Sequence, residues 1–244
     1  IKNNTNRGFA PALNQGIKRS TGKYVLTTND DVIFERKCLI ELVRVVEKDK
    51  TIGILGGKML FEGKEKLIAL SGFRVNLWLG YHPYDFNGQD NLREMDVATG
   101  GCMLIRKSAL AKSGFYDEGF FFCGEDYDLC FRMKIVGFKI VYVPSAIVIH
   151  KFLNSRRKKD NFPQLFAHYR GKFRFLFIHA SSLQMLVFFP IQFLIGPFFS
   201  YLQSKQLTIL PMVSALIWNL ENLPSTLKSR HEVKKLKIAY EFKQ

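Results

Sequence analysis

The first 150 residues alternate between two hydrophobic rhythms. Phe9, Leu13 and Ile17 recur at helical spacing and predict a helix over 9–20, opened by Asn6 and closed near Gly22. The run KYVLTT at 23–28 reads as a short strand that ends in the polar turn Asn29-Asp30-Asp31. Leu39, Leu42, Val43 and Val46 mark one side of a second helix over 37–48. Apolar runs at 52–60 and 67–79 predict strands, and the polar, Asn/Asp/Gly-containing stretch 81–96 predicts a long loop of the kind that carries function. Residues 102–106 form another apolar strand followed by a short helix from Lys107. A helix over 124–136 is expected to close on Gly137 in the left-handed conformation. Two strands, 138–143 and 146–150, flank Pro144. Such strand–helix alternation predicts a mostly parallel, doubly wound α/β sheet flanked by helices, with ligands beyond the carboxyl ends of its strands.

Beyond His150 the pattern becomes helical and rich in Phe, of which the chain has 23. The basic run Arg156-Arg157-Lys158-Lys159 suggests a boundary, giving a core over 1–150 and a basic, Phe-rich helical extension over 151–244. A helix is expected over 161–180. The apolar stretch 183–202 approaches the roughly 20 residues that cross a bilayer, but Pro190, Pro197, Gln184 and Gln192 interrupt it, which favours an amphipathic or re-entrant element. A second apolar stretch, 207–223, contains Pro211.

Composition narrows the class. Apolar residues at 47% support a true core and exclude wholesale disorder. A net charge of +15 points to anionic partners, and its proximity to Phe-rich segments favours an anionic membrane surface. No helix-turn-helix, zinc-finger or aromatic RNA-binding signature accompanies that charge, so no nucleic-acid partner is expected. Cys38, Cys102, Cys123 and Cys130 lack CxxC spacing and read as free thiols. With Ile at position 1, the sequence is expected to begin inside a longer protein or to have been trimmed. Nothing in it specifies an oligomeric state.

Four short segments could carry chemistry. Asn29-Asp30-Asp31 could hold a hard divalent cation, or simply form a turn whose side chains bond their own backbone. Glu125, Asp126 and Asp128 enter a helix. They could supply a base, since the positive helix end favours ionised carboxylates, or act as caps, with Asp128 paired to Arg132 at i, i+4. His150 ends an apolar strand, as a metal ligand or as an ordinary surface histidine. Gly100-Gly101 allows close approach of a ligand to the backbone, or a plain turn.

Order and spacing add what single segments lack. Asn6-Arg7-Gly8-Phe9-Ala10 with Ala12 and Asn14, Asn29-Asp30-Asp31-Val32, Gly100-Gly101-Cys102-Met103-Leu104-Ile105-Arg106, Gly114-Phe115-Tyr116-Asp117-Glu118, Glu125-Asp126-Tyr127-Asp128-Leu129 with Arg132, Gly137 and Pro144, and His150 follow one another along the chain. Over about residues 3–150 this series resembles the inverting family 2 glycosyltransferases, particularly their rhamnosyltransferase-like branch. The resemblance implies a GT-A (Rossmann-like) fold and transfer of a sugar, rhamnose being one candidate, from a nucleotide-sugar donor to a cell-surface glycan or lipid-linked acceptor. It implies a Mg or Mn cofactor, with Asp31 and His150 as metal ligands, and Asp126 as catalytic base. Asn6, Asn14, Asp30 and Asp31 are implied at the donor; Gly101, Glu125 and Asp128 are implied near donor sugar and acceptor. Asp30 stands where the branch often has Pro. The family's opening strand–helix–strand would lie before Ile1, so the fold is expected to be N-terminally incomplete. The implied location is the cytoplasmic, inner face of the cell membrane, with peripheral membrane contact. The competing reading is a non-catalytic relative that scaffolds a glycan-assembly complex.

Overall fold

A computed structural model describes residues 1–70, 72–81, 90–151, 162–204 and 208–241. Its elements, in chain order, are α1 (Phe9–Arg19), β1 (Tyr24–Thr28), β2 (Val32–Phe34), α2 (Cys38–Lys48), β3 (Ile52–Phe61), β4 (Lys64–Leu70), β5 (Val75–Asn76), β6 (Gly80–Tyr81), β7 (Arg93–Glu94), β8 (Cys102–Arg106), α3 (Lys107–Ser113), α4 (Glu125–Ile135), β9 (Lys139–His150), α5 (Phe162–His179), α6 (Ser182–Leu194), α7 (Gly196–Ser204), α8 (Ile209–Glu221) and α9 (Leu223–Glu241). The predicted elements of the first 60 residues recur within a residue or two. The basic run at 156–159, and residues 82–89 of the polar loop predicted over 81–96, lie outside the described residues.

The central sheet runs in the order β1-β8-β3-β9-β2, with β4 added to β3 and β7 to β9. It is mixed, which corrects the expectation of a mostly parallel sheet: among the described pairs only β3 and β9 are parallel. The connections explain this. α3 and α4 lie between β3 and β9 in the chain and can carry the long crossover that parallel strands require, whereas no helix intervenes between β3 and β8 among the described residues, and β8 returns antiparallel. The strand predicted over 67–79 divides into β4 and the small β5–β6 hairpin. Pro144 does not split β9. The register against β3 instead jumps from Gly57↔Val143 to Lys58↔Ile147, so the proline sits in a bulge that omits its missing donor from the ladder.

Two apolar layers cover the sheet. On one face α2 buries Cys38, Leu42 and Val46 against Leu55, Leu104 and Val148. On the other, α1, α3 and α4 share one core with the C-terminal helices: Ala10, Ile54, Tyr127 and Leu129 belong to the same cluster as Phe173, Phe175, Phe188, Met212 and Val233. Described residues of α5, α6, α8 and α9 thus contribute to this core. Ser181 and Gln184 form a reciprocal capping box at the start of α6. α6 and the 196–202 stretch of α7 meet at a bend of 42°. Among the described residues no single helix is long and apolar enough to cross a membrane, although this bent pair is by combined length and composition.

Candidate active site

The strands deliver three predicted residues to one end of the sheet. β2 pairs with β9 so that Val32 faces His150, and the Lys151 N–H donates to the Asp31 carbonyl at 2.8 Å. This register brings His150 Nε2 to 3.5 Å from Asp31 Oδ1. β1 pairs with β8 so that Thr28 faces Cys102, and the Thr28 hydroxyl donates to the Gly101 carbonyl at 2.9 Å. Asn29 thereby lies beside Gly101. A Cβ on Gly101 would come 2.4 Å from Met59 Cε, so only glycine fits there without displacing Met59.

These strand ends border a cavity of about 250 Å³ whose lining includes Asn29, Gly101, Glu125, Asp126, His150 and His168. The carboxyl ends of the parallel β3 and β9 point to it, the position expected for a ligand in an α/β sheet. Asp126 projects from the first turn of α4, where Gly124, at φ 95°, turns the chain into the helix. Its Oδ2 accepts from the Gly100 N–H at 3.2 Å, and its Oδ1 from the Tyr127 N–H at 2.9 Å. Burial nonetheless outweighs these bonds and lifts the Asp126 carboxyl to about 6. Burial, reinforced by the neighbouring Asp126 charge, lifts Glu125 to about 8. Two adjacent carboxyl groups held apart from their usual range near neutral pH are a combination suited to proton transfer.

A divalent cation fits the Asp31–His150 corner. Asp31 Oδ1 is buried and accepts no hydrogen bond, and its 3.5 Å approach to His150 lies beyond the roughly 2.7–3.2 Å of a normal N–H···O bond. Among the described residues no cluster of three or more His, Cys, Asp or Glu could hold a metal. Two protein ligands leave the remaining positions to phosphate oxygens and water, a mode that Mg adopts at nucleotide sites.

The other predicted residues divide. Asp30 is exposed on the turn beside Asp31. Asn6 lines a second cavity of about 520 Å³, which shares Phe9 and Phe122 with the first. Asn14 does not face either cavity. It is buried, donating to the Tyr116 carbonyl at 2.9 Å and to Glu118 Oε1 at 3.0 Å while accepting from the Tyr116 N–H at 3.0 Å. Its job is to hold the 114–118 loop on α1. Asp128 also turns away. It is 1% exposed and accepts from Arg132 at 2.9 and 2.6 Å, with His179 Nε2 at 2.8 Å. Burial alone would raise its carboxyl, but Arg132 and His179 hold it far below the usual carboxylate range. The expected Asp128–Arg132 pair thus exists as a buried anchor rather than a solvated one. Sequence reasoning missed His168, which α5 contributes to the first cavity; an isolated histidine among Phe and Arg gave no signal.

Comparison with known proteins bears on family and fold. Residues 1–114 match Glycosyl transferase family 2. The rhamnosyltransferase WbbL of Escherichia coli is 28% identical over 167 residues, 63% of this chain and 61% of that protein. The N-acetylglucosaminyl-diphospho-decaprenol L-rhamnosyltransferase of Mycobacterium tuberculosis is 40% identical over 84 residues, 34% of this chain and 27% of that protein. The chain therefore spans less than two thirds of either relative's length. A crystal structure of GalNAc-T7 with UDP, GalNAc and Mn2+ superposes with a TM-score of 0.60 at 15% identity, over 77% of this chain and 37% of that one. The mannosyltransferase PcManGT from Pyrobaculum calidifontis gives 0.50 at 12% identity, over 100% of this chain and 69% of that one. At such identities the superpositions speak for the fold. Over residues 1–114 the chain is similar to the family 2 glycosyltransferases, its relatives include rhamnosyltransferases, and its fold is that of the GT-A enzymes.

Proposed function

We propose that this chain transfers a sugar, with rhamnose the leading candidate, from a nucleotide-sugar to a lipid-linked or cell-surface glycan acceptor, with inversion. The observation that carries the reading is the convergence of Asp31, Asp126 and His150 on one end of the sheet, with Asp126 and His150 lining one cavity and Asp31 3.5 Å from His150. Asp126 takes the proton of the acceptor hydroxyl, whose oxygen attacks the anomeric carbon from the face opposite the departing diphosphate. Asp31 and His150 would hold Mg or Mn, and such a cation neutralises charge on a leaving diphosphate. A single displacement needs no enzyme nucleophile. Cys123, the one cysteine among the described residues on the cavity wall, supports this, since burial pushes its thiol up to about 12 and keeps it protonated. The raised carboxyl groups favour a working enzyme over a scaffold, in which two buried acids would be retained without use.

Similarity to a rhamnosyltransferase of Escherichia coli favours rhamnose as the sugar, and similarity to the diphospho-decaprenol enzyme of Mycobacterium tuberculosis favours a diphospho-lipid acceptor. We place the protein at the inner face of the membrane. Leu186, Leu194 and Leu210 are 71%, 79% and 66% exposed on α6 and α8, and Lys205 is the one charged residue between 183 and 220. Such a face suits burial among lipid acyl chains. The test is release of nucleoside diphosphate with Mn, a panel of nucleotide-sugars and a sugar-diphospho-lipid acceptor. Release that is donor-specific and abolished by Asp126→Asn is the expected result; release that persists in Asp126→Asn refutes the assignment of the base.

A further inference from the structure

Arg170 lies on α5, in the half of the chain beyond the family match, and its surroundings are unusual. Its guanidinium is half-buried and ringed by aromatic side chains, 4.9 Å from the Trp218 ring, 5.4 Å from Phe121 and 5.8 Å from Phe166. Among the described residues no carboxylate, carbonyl or hydroxyl accepts from it. The contrast along the same helix is sharp. Arg174, four residues on, donates to Asp117, Ser225, Thr226 and Ser229. Lys172 donates to Gln192. A half-buried guanidinium with five N–H donors, ringed by aromatic faces and with no protein acceptor among the described residues, is available to an anionic ligand. Cation–π contacts hold its position and leave those donors available.

Its placement identifies the ligand. Arg170 lines the 520 Å³ cavity that shares Phe9 and Phe122 with the catalytic cavity. Trp218, whose ring Arg170 contacts, belongs to α8, a helix that also exposes Leu210, Ile217 and Leu220. A molecule reaching from the apolar helices to Asp126 would pass Arg170 between its lipid and its sugar. The chemical group at that point of a lipid-linked sugar is phosphate or diphosphate, and a planar guanidinium fork matches phosphate oxygens. We infer that Arg170 binds the diphosphate of a lipid-linked acceptor, at a site distinct from the Asp31–His150 corner. This rests on the proposed transferase reading and adds the acceptor's anionic group to it.

Diphosphate could also come from the donor, and the experiment separates the two. Direct binding comes first and needs no turnover. In a Trp78→Phe background, Trp218 is the remaining tryptophan. Its fluorescence is titrated with a short prenyl diphosphate in the presence of EDTA, which removes metal-dependent donor binding. Saturable quenching is expected in the full chain. Affinity should fall about 10- to 100-fold in Arg170→Gln, the range for losing hydrogen bonds to a charged partner, and by less in Arg170→Lys. Absence of quenching, or equal quenching in Arg170→Gln, overturns the inference. Kinetics then distinguish the sources. Arg170→Gln should raise KM for a sugar-diphospho-lipid while leaving donor KM, and turnover of an alkyl glycoside of the same sugar, within about twofold. A rise confined to donor KM would assign the diphosphate to the donor and refute the acceptor site. Equal losses on both acceptors would reduce Arg170 to a structural role. Failure of the wild-type chain to transfer sugar while retaining Arg170-dependent binding would refute the transferase reading alone.

Discussion

At Asp126 the balance between burial and two backbone hydrogen bonds sets the chemistry. Because the group must be ionised to accept a proton, and burial lifts it to about 6, kcat/KM should fall as pH drops through that value and level off above it. Nucleoside diphosphate release measured across this range checks the limb; a flat profile down to pH about 4, the ordinary carboxylate range, would contradict it. Asp126→Asn should lower kcat by about 10²- to 10⁴-fold, the usual worth of a general base. Asp31→Asn should instead raise the Mn concentration needed for half-maximal rate. Asp128 makes the opposite case. Its removal would leave Arg132 and His179 facing a buried vacancy of charge, and Asp128→Ala should destabilise the fold by about 3–5 kcal/mol, read by denaturant unfolding. Helix geometry already separated these two acids in the sequence. At about 100° per residue, Asp126 and Asp128 fall on nearly opposite sides of α4. Treating them as one acidic group overlooked that. Asn14 was less legible, because a polar residue on a helix looks the same whether it meets a ligand or a neighbouring loop.

Among the elements, α5 decides how the site is closed. Gly171 packs against the turn before α4, where a Cβ would stand 1.9 Å from the Cys123 carbonyl oxygen. Cys123 itself has φ 66°, and Gly124 φ 95°. Gly171→Ala should therefore push α5 away from the catalytic turn and cost activity more than stability. The expected signature is lower kcat with Asp126 and Asp31 intact, and an unchanged rate would refute it. Arg174 ties the same helix to α9 and the 117 loop from a nearly solvent-free position. Local periodicity revealed α1 and α2 because each has a clear apolar stripe. It could not reveal strand direction, since antiparallel β8 depends on the helix-free return from β3. It did not single out α9 within the basic extension because that helix shows little amphipathic contrast.

The whole molecule combines a polar cleft and an apolar outer face through one shared core. Flotation with phosphatidylglycerol-containing vesicles tests the face: the wild type should co-float, and Leu186→Glu with Leu194→Glu should not, while turnover of a soluble alkyl glycoside persists. Equal flotation of both proteins would refute lipid burial of α6. The +15 charge should make the binding weaken with salt. The close seat of Gly171 on Cys123 has a wider consequence. The family match ends at residue 114, yet the turn that presents Asp126 is shaped by a glycine nearly 60 residues further on. Chimeras that graft the C-terminal helices of one relative onto the sheet of another, as a way to change acceptor preference, should work only when both halves keep this backbone-to-backbone join; where a side chain intervenes, the hybrid should fold and still fail to turn over.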